Sequence, residues 1–122
     1  MAIIVSGDPT ITGTNDNDTI TGTNGLGVTV FGLFGDDTIT TGAGNDFVIG
    51  GGGNDTISTG AGHDTVSDEG GNDRIITGSG NDEVNFALGL GVDVRFSQSW
   101  AVRASGGLGD IEGVGISLTY IR

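Results

Sequence analysis

The sequence predicts an all-β repeat fold, a single solenoid with end pieces, and three observations carry that reading. A nine-residue unit recurs in tandem six times between Gly32 and Asn85. The branched aliphatic in each unit alternates Ile and Val, so the true period is eighteen residues. Short stretches outside the repeats alternate apolar and polar residues with the period of two expected of strands.

Within the units GLFGDDTIT, TGAGNDFVI, GGGGNDTIS, TGAGHDTVS, DEGGNDRII and TGSGNDEVN, three positions are fixed. The fourth is Gly35, Gly44, Gly53, Gly62, Gly71 and Gly80. The sixth is Asp37, Asp46, Asp55, Asp64, Asp73 and Asp82, and the eighth is Ile39, Val48, Ile57, Val66, Ile75 and Val84. The eighth positions form two series, Ile20, Ile39, Ile57, Ile75 and Val30, Val48, Val66, Val84. These predict two sheets with different inward surfaces, one aliphatic per short strand pointing in and its neighbours, mostly Thr or Ser, pointing out.

Upstream, Ile3 to Val5 and Thr10 to Thr12 read as short strands separated by Gly7-Asp8-Pro9. A degenerate unit follows over 13–21, with Asp18 and Ile20 in the sixth and eighth places and Asp16 where the glycine belongs. The ten-residue unit 22–31 keeps Val30 but has no aspartate in its turn. Downstream, Val92 to Phe96, Trp100 to Ala104 and Val114 to Tyr120 alternate as three strands, joined by turns at Ser97 to Ser99 and Gly106 to Gly113. An antiparallel cap hiding the edge of the last coil is the expectation. The expected organisation is therefore 1–31 as N-terminal cap and degenerate repeats, 32–85 as the repeat core, and 86–122 as C-terminal cap or assembly segment.

Composition narrows the function. The 122 residues contain 26 glycines and no cysteine, and carry a net charge of −12. Neither a disulfide nor a thiolate metal site is available. Residues 1–85 hold thirteen acidic groups against Arg74, while 86–122 balance three acids with three arginines. That acidic half wants cations and makes nucleic acid an unsuitable partner. No stretch reaches the roughly 18 apolar residues of a membrane helix, and Met1 to Ser6 is too short for a secretory core, so export without a cleaved N-terminal signal is expected.

The G-x-D spacing resembles the RTX nonapeptide, G-G-x-G-x-D-x-U-x. That resemblance implies a parallel β-roll, a right-handed β-solenoid with two repeats per coil, and calcium in its turns. Calcium takes six to eight oxygens from carboxylates and backbone carbonyls, and positive-φ glycines can aim those carbonyls at one point. By likeness to the family, ions sit between sixth-position carboxylates eighteen residues apart: Asp37, Asp55 and Asp73 on one side, with Asp18 beyond the inserted residue, and Asp46, Asp64 and Asp82 on the other. Carbonyls of Gly35, Gly42, Gly44, Gly51, Gly53, Gly60, Gly62, Gly71, Gly78 and Gly80 assist. About four to six Ca2+ ions are implied by the same geometry. Leu33 and Glu69 depart from the second-position glycine, and Glu69 either adds a ligand or reshapes its turn.

Without a cation, aspartates in coils about 4.8 Å apart repel by roughly 3 kcal/mol per pair at an effective dielectric near 20. A glycine-rich chain also loses much entropy on ordering, so calcium binding and folding are expected to be one event. The functional reading is a secreted calcium-binding module that folds outside the cell and serves as a structural or self-assembling element, with type I secretion implied by the RTX resemblance. Its patch would be Phe31, Phe47 and Ile49, outward apolar residues of the Val sheet, covered either by the C-terminal segment or by a partner. His63 takes a fifth position usually held by Asn and reads as a turn residue; with no H-E-x-x-H motif and no nucleophile paired to a base, catalysis is not expected. Two other classes are ice binding and membrane anchoring. Ice binding would use outward threonine ranks, but the third positions, Phe34, Ala43, Gly52, Ala61, Gly70 and Ser79, contain none. Surface or outer-membrane anchoring would use the C-terminal strands, of which three cannot close a barrel of at least eight.

Overall fold

In the computed structural model, backbone is described for residues 2–87, 92–96, 99–105 and 116–120, and side chains for 2–85. Thirteen strands occupy the described residues, and two parallel sheets share them. One sheet is built from β1 (Ile3–Ser6), β3 (Thr19–Gly22), β5 (Thr38–Thr40), β7 (Thr56–Ser58), β9 (Asp73–Gly78), β11 (Val92–Phe96) and β13 (Ile116–Tyr120), in that spatial order. The other holds β2 (Thr10–Thr12), β4 (Thr29–Phe34), β6 (Phe47–Gly52), β8 (Thr65–Asp68), β10 (Asn81–Ala87) and β12 (Ser99–Ser105). Successive strands alternate between the sheets, giving a β-solenoid of about five turns with two repeats per coil.

Register is set by the aliphatic columns. Ile20, Ile39, Ile57 and Ile75 stack in line, with Ile4 before them and Val94 and Leu118 in step beyond. The second column runs Ile11, Val30, Val48, Val66, Val84 and Val102. Every member from Ile20 to Val84 is fully buried. A one-residue slip would turn a whole column to solvent, so the register is strongly held.

The antiparallel cap expected after residue 85 is not what forms. β12 pairs parallel with β10, and β11 lies parallel between β9 and β13, so the C-terminal strands lengthen both sheets. Period-two alternation is shared by parallel and antiparallel strands and cannot tell them apart. The informative signal is spacing: Val102 follows Val84 by the same eighteen residues that separate the core valines. The turns expected at Ser97 to Ser99 and Gly106 to Gly113 fall largely outside the described residues, with only Ser99 placed, as the start of β12. No helix among the described residues is long and apolar enough to cross a membrane.

The two N-terminal pieces form β1 and β2 as expected, and the degenerate unit supplies β3. Pairing of Thr29 with Phe47 and of Phe31 with Ile49 brings those outward side chains together on neighbouring strands. Phe47 is 40% exposed, and Phe31 and Ile49 are half-buried. The described C-terminal strands add to the sheet edges at β10 and β9 and pair with neither β4 nor β6.

Candidate metal centre

Over residues 32–85 each coil makes two turns, and each turn is a glycine-shaped bend that ends on a buried aspartate. The fourth-position glycines have φ from 104° to 128°, and the second-position glycines at 42, 51, 60 and 78 have φ from 78° to 101°. The need for glycine is steric as well as conformational. A Cβ at Gly53, Gly62, Gly71 or Gly80 would run into the carbonyl of the fourth-position glycine one coil earlier. Leu33 holds the second-position geometry at φ 83°, the only non-glycine among the described residues to do so. Glu69 does not adopt it, so the fifth repeat has a different turn.

The sixth-position aspartates are all buried, each at most 4% exposed. One carboxylate oxygen has a structural task. The Asp37 N–H donates to Asp55 Oδ1 at 2.8 Å and the Asp55 N–H to Asp73 Oδ1 at 2.9 Å. On the other edge, Asp46 N–H donates to Asp64 Oδ1 at 2.9 Å and Asp64 N–H to Asp82 Oδ1 at 3.0 Å. Val28, which replaces an aspartate, still donates its N–H to Asp46 Oδ1 at 2.9 Å. Each carboxylate thus ties its coil to the preceding one.

The second oxygen is the unresolved one. Oδ2 of Asp37, Asp55, Asp64, Asp73 and Asp82 is buried without a hydrogen-bond partner. A buried charge left unpaired is costly. Desolvation pushes Asp37, Asp55 and Asp64 up to about 6, and it raises Asp73 and Asp82 as well. Hydrogen bonds from the backbone N–H groups oppose the rise. These are oxygen donors in acidic pockets facing one another across neighbouring coils, which suits a hard divalent cation.

Asp18 differs. The Thr14 N–H donates to Oδ2 at 2.5 Å, the Ala2 N–H to Oδ1 at 2.8 Å, and the Thr14 hydroxyl reaches both oxygens at 2.9 Å. The Thr14 N–H leads in holding the Asp18 carboxyl below its usual range, against the opposing effect of burial.

A position not foreseen as part of the site proves to frame it. The first residue of every repeat, Gly32, Thr41, Gly50, Thr59, Asp68 and Thr77, points inward and is buried. On one edge the Thr41 hydroxyl donates to Asp46 Oδ2 at 2.6 Å. On the other, glycine lets the carboxylate approach the backbone closely: a Cβ on Gly32 would stand 2.7 Å from Asp37 Oδ2, and one on Gly50 2.8 Å from Asp55 Oδ2. Glycine and threonine carry no strong inward signal in a sequence, so only the eighteen-residue recurrence of Thr41, Thr59 and Thr77 could have flagged them.

The predicted carbonyl ligands have inter-coil duties too. Gly42, Gly51 and Gly60 accept hydrogen bonds from the N–H groups of Ala61, Gly70 and Ser79 at 2.9, 3.1 and 2.9 Å. A carbonyl has two lone pairs, so accepting one bond leaves capacity for a metal. The fifth-position side chains form an outer ladder rather than capping their own turns. Asn54 Oδ1 accepts from the Asn72 N–H at 2.8 Å and Asn45 Oδ1 from the His63 N–H at 2.9 Å. His63 keeps the pattern by offering Nδ1 to the Asn81 N–H at 2.9 Å, which is the turn role expected of it.

Parallel coils, positive-φ glycine turns and stacked buried aspartates together define a calcium-binding β-roll. The sequence matches the family described as RTX calcium-binding nonapeptide repeat (4 copies) over residues 6–25, 29–57 and 49–84, well over half the chain, and the protein belongs to that family. No curated protein and no solved structure gives a match.

Proposed function

We propose that this chain is an extracellular calcium-dependent structural module whose β-roll orders when calcium fills its turns. The observation that carries the reading is the set of buried, unpartnered Oδ2 atoms on Asp37, Asp55, Asp64, Asp73 and Asp82. A cation held between successive coils would neutralise these oxygens and draw on the second- and fourth-position carbonyls. Five such inter-coil pairs can be drawn, from Asp18–Asp37 through Asp64–Asp82, within the expected range of about four to six ions. Asp18, already hydrogen-bonded on both oxygens, is the least suited ligand. In this reading residues 32–85 bind the metal, while 1–31 and 86–122 close or extend the ends. No catalytic role is assigned to any residue.

Low calcium inside a cell and high calcium outside would keep the chain unfolded until export, in line with the habit of RTX proteins to leave by type I secretion. Phe31, Phe47 and Ile49, together with the exposed Phe34 and Leu33 on the same strand pair, supply an apolar face for self-association. Far-UV circular dichroism should show coil in EGTA and β structure in millimolar calcium; equal folding in both would sink the calcium switch. Size-exclusion chromatography with light scattering in calcium should show species larger than the monomer. A strictly monomeric protein at high concentration would remove assembly from the proposal.

A further inference from the structure

The fifth repeat, residues 68–76, breaks the pattern twice in succession. Its first position is Asp68 where the same edge otherwise has Gly32 and Gly50. Its second is Glu69, which lacks the positive φ that aims the second-position carbonyl in the neighbouring turns. A backbone ligand is therefore withdrawn and a carboxylate is supplied one residue away.

Asp68 is not a solvated surface acid. It is 2% exposed, and its Oδ2 has no hydrogen-bond partner, while Oδ1 accepts the N–H of Glu69 at 3.0 Å. Both its oxygens lie close over Gly50, beside Asp55: a Cβ there would stand 2.9 Å from each and 2.8 Å from Asp55 Oδ2. One oxygen each from Asp55, Asp68 and Asp73 can be chosen so that all lie within 4.8 Å of one another. Ligands on a calcium ion at 2.3 to 2.6 Å stand up to about 5 Å apart, so the three oxygens span a single ion. Arg74, the only Lys or Arg in residues 1–85, is exposed, so it does not enter this buried cluster to neutralise it.

We propose that the turn of the fifth repeat is a three-carboxylate site, unlike the others in composition, in which Asp55, Asp68 and Asp73 together hold one calcium ion that binds before the rest. The inference rests on the calcium reading above and adds to it a ligand outside the repeat's usual set and an order of filling. Affinity in oxygen sites rises with ligand charge and rigidity. Here a third buried carboxylate adds charge, and β7, β8 and β9 hold its three donors on strands or at their ends. Because this ion bridges the third and fifth repeats, its binding would order the middle of the roll and leave the flanking turns to fill on a preformed template.

Isothermal titration calorimetry of the full chain with calcium tests this against Asp68→Asn, which keeps the shape, and Asp68→Gly, which restores the residue found at Gly32 and Gly50. The wild-type protein should show one ion bound at least tenfold more tightly than the remainder. Both variants should lose that class, keep the weaker ones, and reach the same circular dichroism in saturating calcium. Wild-type binding in one uniform class, or variants that titrate as wild type does, would overturn the proposal while leaving calcium binding intact. The second of those results is also the one expected if Asp68 merely shares a proton with Asp73. Absence of calcium binding in all three proteins would instead refute the calcium reading itself.

Discussion

The two edges of the roll use the same aspartate with different companions. Along Asp46, Asp64 and Asp82 the first position is threonine, and a hydroxyl donates to Asp46 Oδ2. Along Asp37, Asp55 and Asp73 it is Gly32, Gly50 and then Asp68, supplying no hydroxyl donor and, at Asp68, a further negative charge. The difference shows how one nonapeptide makes unequal sites: the fixed positions build the turn, and a variable position behind it decides how much of the carboxylate is already spoken for. On the threonine edge Asp46 is satisfied by the protein, whereas at Asp55 and Asp73 a third carboxylate, Asp68, is added instead.

The largest effect expected is one the edges share. Gly71→Ala and Gly80→Ala each add a Cβ at φ 118° and 125°, against the carbonyl of the coil before. Strain of about 1–3 kcal/mol and a comparable overpacking cost should lower stability in calcium about equally on both sides, read by urea denaturation. A strongly unequal pair would show that the edges differ in their backbone as well as their companions.

Next comes pH. Asp37, Asp55 and Asp64 have folded-state values of about 6 against an ordinary 3.8, so the folded metal-free chain retains protons that the unfolded chain gives up. Metal-free stability should therefore be highest below about pH 4 and fall as pH rises through 6. Asp68, which burial raises to about 9, carries the decline further on its own edge. In calcium the trend reverses, because protons compete with the ion and binding strengthens over the same window. Circular dichroism across pH 4–8 with and without EGTA checks both signs.

Edge-specific substitutions should be smaller and opposite in kind. Thr41→Val removes the donor to Asp46 Oδ2 and should cost about 1.5–3 kcal/mol with calcium stoichiometry unchanged. Gly50→Ala pushes against the Asp55 and Asp68 carboxylates and should weaken calcium binding on that edge at a packing cost of about 1–3 kcal/mol. Smallest is the outer ladder: His63→Ala should lose about 0.5–1.5 kcal/mol, and His63→Asn, which restores the usual acceptor, almost none. An alanine variant as stable as wild type would show that the Asn81 N–H is equally served by water.

Much of this architecture can be read from residues alone, for identifiable reasons. Buried aliphatics recurring at a fixed interval disclose both columns, and an aspartate at each turn discloses the metal edges. What escapes has no chemical signature of its own. An inward glycine or threonine looks like any turn residue, and the orphaned Asp68 looks like one more surface acid in a −12 chain. The parallel course of β11 to β13 escapes for another reason, since alternation reports which face is buried but not the direction of the neighbouring strand.

The inter-coil hydrogen bonds also give the roll a polarity. Each buried carboxylate reaches back to the coil before it, as Asp55 does to the Asp37 N–H, while each outer amide receives the coil after it, as Asn54 does the Asn72 N–H. Cutting coils from the C-terminal side would strip charged, buried acceptors from the coil left at the edge. Cutting from the N-terminal side would leave the edge coil its buried carboxylates but take away the N–H groups that donate to them, as Asp37 does to Asp55 Oδ1, together with the outer acceptors. The two cut ends thus differ in kind: a tail-side cut leaves backbone N–H groups without acceptors, and a head-side cut leaves carboxylates free to take a cation or a proton.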